Sequence, residues 1–430
     1  MYERMRRLAC RWSWAALCVC PTILIAAWCA YRHTPIQRAQ AIRGWQEAVS
    51  HRTGFEVVLG GVREARPRHA QFRELQFVDP ETSVPVLRCD LLETAWDDDR
   101  CVMLAHHVEA LQESLPELLR QLHERILRGT KQYSSRVELI IKQLRLPSAS
   151  AELALEDFQA TWFSSDAGPR VDVEFRRKDA GSSEPVRIAI LRDRQHHPPL
   201  TSWTLDSSGA PLPCSSLRSI LPSVEWLGED ATFQGILSVT HAEGGPEVIV
   251  QGRLSKVDLD ALVFQPFSQR CTGLAEVVLN RVEWRAGKIA EAAGEIDARD
   301  GEIGRSLIMS LASPSGLRLE RVSRLERAAE TRFTYRQLAF GFRLNGAGVL
   351  IRGNCQAERP GVVLRDGSGP LLLEAGTAPV PLAGLLRTLQ GERGTVVPAS
   401  AELDEFSRIL PAAIKEPGAT TSSISNGKRG

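Results

Sequence analysis

FTYRQLAFGFRLNGAGVLIRGNC, residues Phe333–Cys355, decides how this chain folds. Leu338, Phe340, Phe342 and Leu344 recur at every second position, with Gln337, Ala339, Gly341 and Arg343 between them. Side chains alternate across a strand, so this segment has one apolar face and one that is more polar. Asn345-Gly346 follows, a strong two-residue turn signal, and Gly348–Gln356 returns as a second strand. The segment reads as an antiparallel hairpin with one face to cover and one to wet.

The same period of two extends outward in both directions. Ala231–His241 and Glu247–Lys256 flank a turn at Glu243–Pro246, and Val248, Val250 and Leu254 share a face with Gly252. Leu274–Trp284 and Lys288–Ala298 repeat the hairpin, and Val362–Leu364 and Leu371–Glu374 extend the last one. Toward the N-terminus, Phe55–Val62, Gln71–Val78, Val84–Trp96 and Cys101–Leu111 read as strands between turns at Arg66-Pro67, Asp79-Pro80 and Asp97–Asp99. Arg136–Leu146, Glu152–Phe163, Arg170–Arg176 and Pro185–Arg192 continue the series, and Arg194–Pro199 and Ser207–Pro213 are irregular.

Helical periodicity is brief. It appears at Thr34–His51, Leu115–Leu127, Ser216–Leu227, Asp258–Phe264, Ile303–Leu311, Pro381–Leu389 and Ala401–Leu410. The fold class is mainly β with short helices, an elongated and curved antiparallel sheet. Roughly eighteen strands present more apolar face than such helices can cover. The sheet therefore curls on itself as a closed sandwich or holds something apolar.

Before these strands lies a stretch without charge from about Trp12 to Tyr31, long enough to cross a bilayer as a helix. Arg4, Arg6, Arg7 and Arg11 precede it; Arg32, His33, Arg38 and Arg43 follow. The first cluster lies closer to its end of the span, which favours a cytoplasmic N-terminus and a bulk outside the cytoplasm. Trp12, Trp14, Trp28 and Tyr31 sit where interfacial aromatics belong. A cleaved signal peptide shares the basic start, but Trp28, Cys29 and Tyr31 make a poor cleavage site. Pro21, mid-span, kinks the helix without preventing a crossing.

Composition narrows the chemistry. With 53 basic and 52 acidic residues the net charge is +1, which is no nucleic-acid footprint. Five of the nine cysteines lie beyond the span: Cys89, Cys101, Cys214, Cys271 and Cys355. They are odd in number and far apart, so they read as small buried apolar residues; Cys89 and Cys101 could face each other across a hairpin. His106-His107 lie on a strand and point to opposite faces, and His196-His197 sit in a loop; neither pair suits one metal ion. Asp97–Asp99 reads as a solvated turn rather than a calcium loop. No nucleophile elbow, phosphate loop or zinc helix is present, so no catalytic residue, metal or cofactor is assigned and the chain is read as no enzyme. Trp96, Trp162, Trp203, Trp226 and Trp284 are core residues by default, and those on the concave side are candidates to line an apolar path.

The hydrophobic start, followed by short strands from Gly54 to Trp96 broken by VDPET, resembles the opening of AsmA- and TamB-like envelope proteins. FQGILSV (Phe233–Val239) and VIVQGRLSKVDLDAL (Val248–Leu262) are similar to a repeating unit of that family, a strand with Gly-x-Leu followed by a helix-starting Asp-Leu step. Phe333–Cys355 with Gly367–Leu371 resembles its C-terminal module. The resemblance implies a β-groove with an apolar interior, and a part in phospholipid transport or outer-membrane homeostasis, without cofactor. It implies an inner-membrane protein, single-pass, with its bulk in the periplasm, and phospholipid or envelope proteins as partners. Eighteen strands would make a groove of roughly 85 Å, too short to bridge two membranes alone. The groove candidates are Leu338, Phe340, Phe342, Leu344, Val248 and Val250. The organisation expected is an anchor over 1–33, β-rich regions over 34–206 and 207–411, and a polar tail over 412–430. The alternative is a structural or interaction scaffold built on a closed β-sandwich with no ligand.

Overall fold

A computed structural model describes most residues from Arg11 to Pro381; residues 111–135, 147–152, 179–183, 218–221, 313–316, 322–330 and 382–430, most of 1–10 and a few shorter stretches lie outside the described residues. The expected helices at Leu115–Leu127 and Ala401–Leu410, and all but the first residue of Pro381–Leu389, therefore lie outside them. The chain is mainly β, as its alternation requires, and its contacts divide it into two units: Met1–Pro147 with Ala154–Ser164, and Ser148–Leu153 with Ser165–Gly430.

The first unit opens on a helix that is α-helical at Cys20–Arg32 (α1) and widens to π spacing at Ala15–Val19. Pro21 explains the widening: it lacks an N–H and its ring crowds the carbonyl four residues back. The Thr22 hydroxyl donates to the Cys18 carbonyl at 2.6 Å, a local repair of the backbone near the proline. The 18 residues Arg11–Trp28, with mean hydropathy 1.3, are long and apolar enough to cross a membrane; a signal sequence meets the same criterion.

A second helix, α2 (Pro35–Thr53), packs against β1 (Glu56–Arg66). Trp45 of α2 stacks on Trp96 at 6.0 Å and meets the Phe72 ring edge-on at 5.3 Å, so this helix is fixed by aromatic contacts. The strands β1, β2 (His69–Val78), β3 (Pro85–Trp96) and β4 (Arg100–Ala110) form an antiparallel meander. Its registers align Val57, Phe77, Leu87 and Ala110, and beside them Leu59, Leu75, Cys89 and Val108. Cys89 lies opposite Val108 and Cys101 opposite Trp96, so the two cysteines are not cross-strand partners. The next strand, β5 (Arg136–Leu146), runs parallel to β4, a departure from a pure meander. Parallel neighbours need a crossover connection, and residues 111–135 separate these two. Glu138 on β5 is buried, and it accepts from Arg136 at 3.0 Å and from Arg100, which is how a buried carboxylate stays tolerable. The unit ends with β6 (Leu153–Ser164).

In the second unit the ladder runs through β7 (Pro169–Arg177), β8 (Val186–Asp193), β9 (Leu200–Asp206), β11 (Thr232–Ala242), β12 (Gly245–Asp258), β13 (Leu274–Arg285), β14 (Lys288–Gly304) and β16 (Arg332–Asn345), each antiparallel to the last. A two-residue strand, β10 (Leu212–Pro213), pairs with the start of β11. The far side of β16 is shared by β17 (Gly348–Gly353) and β18 (Val362–Asp366); β18 pairs with β19 (Gly369–Glu374), and β19 with β15 (Leu317–Leu319). Every pairing among the described strands of this unit is antiparallel.

Two short helices interrupt the ladder, α3 (Leu259–Phe267) after β12 and α4 (Arg305–Ala312) after β14. Both begin where the sequence places a helical step. Ser216–Leu227, expected as one helix, instead holds two 3₁₀ turns, Cys214–Leu217 and Pro222–Leu227. Pro222 opens the second turn, where its missing N–H is no loss. The hairpin turn of β16–β17 sits one residue later than expected: Asn345 pairs with Gly348, and its side chain accepts the Ala347 N–H at 2.9 Å. The asparagine thus closes the turn from outside, as an Asx turn does.

Candidate functional site

The registers of the second unit place its apolar side chains in lateral rows on one face. One row runs Val173, Ile188, Leu205, Leu237, Val250, Val282, Ala292, Leu344, Val349, from β7 to β17. A neighbouring row runs Val171, Ile190, Trp203, Val239, Val248, Trp284, Ile289. Toward the other end of the strands come Phe233, Leu254, Val277, Ile296 and Phe340, then Val257, Ala275, Ala298, Leu338, Leu364 and Leu372. Bulges at Asn280 and at Lys256 (φ +58) shift the count on single strands, so the rows stay in phase across the sheet.

Burial changes steeply along these rows. In the last row Val257, Leu364 and Leu372 are 0% exposed, because α3 and α4 lay Leu259, Leu307 and Ile308 over them in one cluster. At the hairpin end Val248, Val250, Leu344 and Val349 are half-buried, whereas Val282 and Ala292 in the same row, and Val171 and Ile190 in the neighbouring one, are buried. The face is a packed core at the helix end and a partly accessible apolar surface at the turn end. Single exposed apolar residues need no explanation, but half-buried ones recurring in register from β9 to β17 do.

All six groove candidates lie on this face. Leu338 belongs to the buried cluster and Phe340 packs against it; Phe342, Leu344, Val248 and Val250 occupy the more open part. The sheet brings β12 and β16 together through β13 and β14, whose Val282, Trp284 and Ala292 complete the rows and were not among the candidates. Alternation within Leu274–Trp284 carries that signal already. Trp203 and Trp284 line the face, whereas Trp96 packs under α2. Gly294 lets the Phe342 ring settle over it: a Cβ there would lie 3.0 Å from the ring's Cζ.

The opposite face is polar. Glu283 on β13 sits between Arg281 at 2.9 Å and Arg285, and these side chains, not the interior, shield it from water. The Arg281 hydrogen bond, then the charges of both arginines, hold its carboxyl below the usual range. A shallow open depression of ≈ 530 Å³ on this side is lined by Ser208, Gln234, Gln251, Arg253 and Asn280 around the cross-strand pair Gly235–Gly252. No histidine, cysteine or carboxylate lines it, so it carries no acid–base pair.

The other sequence candidates are dispersed. His106 is half-buried and His107 exposed, with His106 Nε2 3.6 Å from Glu93. His196 Nδ1 lies 2.8 Å from Asp193 in an exposed loop. Among the described residues no three His, Cys, Asp or Glu are grouped to hold a metal. Asp97 and Asp98 pair with Arg68 at 3.5 and 2.9 Å in a hairpin turn. The thiols of Cys89 and Cys214 are pushed up to about 11, and that of Cys271 to about 12, by burial, which makes them poor nucleophiles. No family model, characterised protein or solved structure matches this chain.

Proposed function

We propose that this chain is a single-pass protein of the inner membrane whose periplasmic bulk accommodates phospholipid acyl chains on the apolar face of its second unit, in the manner of AsmA-like envelope proteins. The observation that carries the reading is the half-open set of apolar rows from Val173 to Val349 across nine strands, with a membrane-length apolar helix in the same chain. Water is a poor solvent for such a face, and acyl chains lie along apolar rows without needing directional contacts. The roles of the arginines before the helix, N-in topology and inner-membrane location, belong to this proposal.

The test is mass spectrometry of lipid carried by purified residues 34–430. Phospholipid at a defined ratio, lost on Leu344→Glu and Val250→Glu, is the expected result. A protein that emerges free of lipid and takes none from mixed vesicles sinks the reading. A reporter active only outside the cytoplasm, fused at the C-terminus, checks the topology.

A further inference from the structure

We propose that the shallow depression around Gly235 and Gly252, on the polar face of the second unit, binds an acidic saccharide unit such as a uronic acid. Three side chains with open hydrogen-bonding capacity meet there: Gln251 and Arg253 from β12 and Asn280 from β13. The register sets Arg253 between Gln234 and Val278, and the bulge on β13 sets Asn280 and Arg281 together opposite Gln251. Arg281 is held by Glu283 at 2.9 Å. Glu276, the carboxylate diagonal to Arg253 on β13, accepts instead from the Ser255 hydroxyl at 2.7 Å. Gln251, Arg253 and Asn280 are exposed, and among the described residues their side chains have no hydrogen-bond or ion-pair partner.

The donor set selects the ligand. A guanidinium binds a carboxylate through two parallel N–H bonds. The amides of Gln251 and Asn280 each donate and accept. A plain anion only accepts, so it would leave both amide oxygens idle. A hydroxyl donates and accepts, so a polyhydroxylated acid engages all three side chains. Ile236, 40% exposed, and Val278 line the same depression and offer apolar surface to the C–H face of a sugar ring. The glycine pair leaves bare backbone between β11 and β12, so a flat ring can approach closely. The depression is open, so a unit joined to a longer glycan or to a lipid enters as a free sugar does. This inference holds whether or not the opposite, apolar face carries lipid.

Saturation-transfer NMR of glucuronate with the full-length chain, in a detergent without sugar headgroups, tests this. Transfer to the ring protons is expected, with a dissociation constant of roughly 1–10 mM for so few contacts. Glucose should bind about tenfold more weakly, since it lacks the partner of Arg253. Arg253→Gln should remove that preference, and Gln251→Ala/Asn280→Ala should weaken both sugars by roughly tenfold. The three side chains are exposed, so these variants leave the ladder intact. Acetate or inorganic phosphate that displaces glucuronate at equal concentration would reduce the depression to a plain anion site and overturn the proposal. So would the absence of transfer at about 10 mM glucuronate, or binding that the variants leave unchanged. Trigalacturonate and a short-chain glucuronosyl glycerolipid, added as competitors, tell a polymer-borne unit from a lipid-borne one; failure of both to displace glucuronate also overturns it.

Discussion

Glutamate substitutions at Leu338 and Leu344 separate a packed core from an open face within one strand. Both residues lie on β16 and point to the same side, six positions apart. Leu338 is 8% exposed, with Ala298 at 1% and Leu364 at 0% on either side. A carboxylate there has no donor within the row and no route to water. Leaving it charged and unpaired, or protonating it against its preference, costs several kcal/mol, with the lost leucine packing adding about 2–3 more. Against a typical total stability of about 5–15 kcal/mol, Leu338→Glu unfolds the unit or leaves it marginal. Leu344 is half-buried between Ala292 and Val349, and its carboxylate reaches solvent. There the loss is part of one leucine's burial, about 1–1.5 kcal/mol. Urea titration of residues 34–430, followed by tryptophan fluorescence, reads both. Leu344→Glu is expected to keep a cooperative transition at a slightly lower midpoint, and Leu338→Glu to lose it. Equal losses at the two positions would refute the burial gradient, and with it the proposed function.

Gly252→Ala places a Cβ 2.4 Å from the Gln234 carbonyl oxygen across the ladder, at a residue with φ +152, and should cost about 2–4 kcal/mol in the same titration; Gly61→Ala, with nothing within 4 Å, should stay within about 0.5. Cys89, Cys214 and Cys271 are buried with raised thiol pKa, so iodoacetamide at pH 8 should modify them only in denaturant, and rapid labelling of the native protein would contradict the packing. The Glu283 carboxyl is lowered in the folded state, so its arginine pairing stabilises the fold above the ordinary carboxylate pKa and is lost as pH falls through the lowered value. Glu283→Gln should therefore flatten the decline in urea midpoint between pH 7 and 3 by a small, salt-sensitive amount, and an unchanged slope at low salt would show the pairing to be inert.

Alternation made most of this fold legible. Every strand from β1 to β8, and the hairpins β11–β12, β13–β14 and β16–β17, stand where a period of two put them. The helices α3 and α4 begin within a few residues of their sequence signals. What stayed hidden has physical causes. β15 offers only Leu317–Leu319 as a pattern, and β9 alternates with Thr201, Ser202 and Thr204, too polar to announce a face. The parallel pairing of β4 with β5 depends on which strand a chain returns to, which alternation does not encode. Lysine and aspartate in left-handed conformations mid-strand, Lys256 at φ +58 and Asp300 at φ +53, bend the ladder where a period of two runs on unbroken. Thus Phe333 and Tyr335 join the same cluster as Leu338 and Phe340, although strict alternation assigns the two pairs to opposite faces. The six candidate residues were legible as one face because their signal is local. Their continuity through Val282, Trp284 and Ala292 needed the register of two more strands.

The burial gradient follows from the connections. At one end of the second unit, β12 passes to β13 through α3, and β14 to β16 through α4, so each connection has residues to fold back over the face. At the other end, Ala242 pairs with Gly245, Arg285 with Lys288 and Asn345 with Gly348, hairpins whose turns have no length to spare. A tight turn closes a ladder but covers nothing beside it. The same apolar alternation therefore becomes a dry core where the chain inserts helices and an accessible surface where it does not. Any occupant of that surface has to come from outside the ladder, either as a bound molecule or as chain that re-enters at the hairpin end.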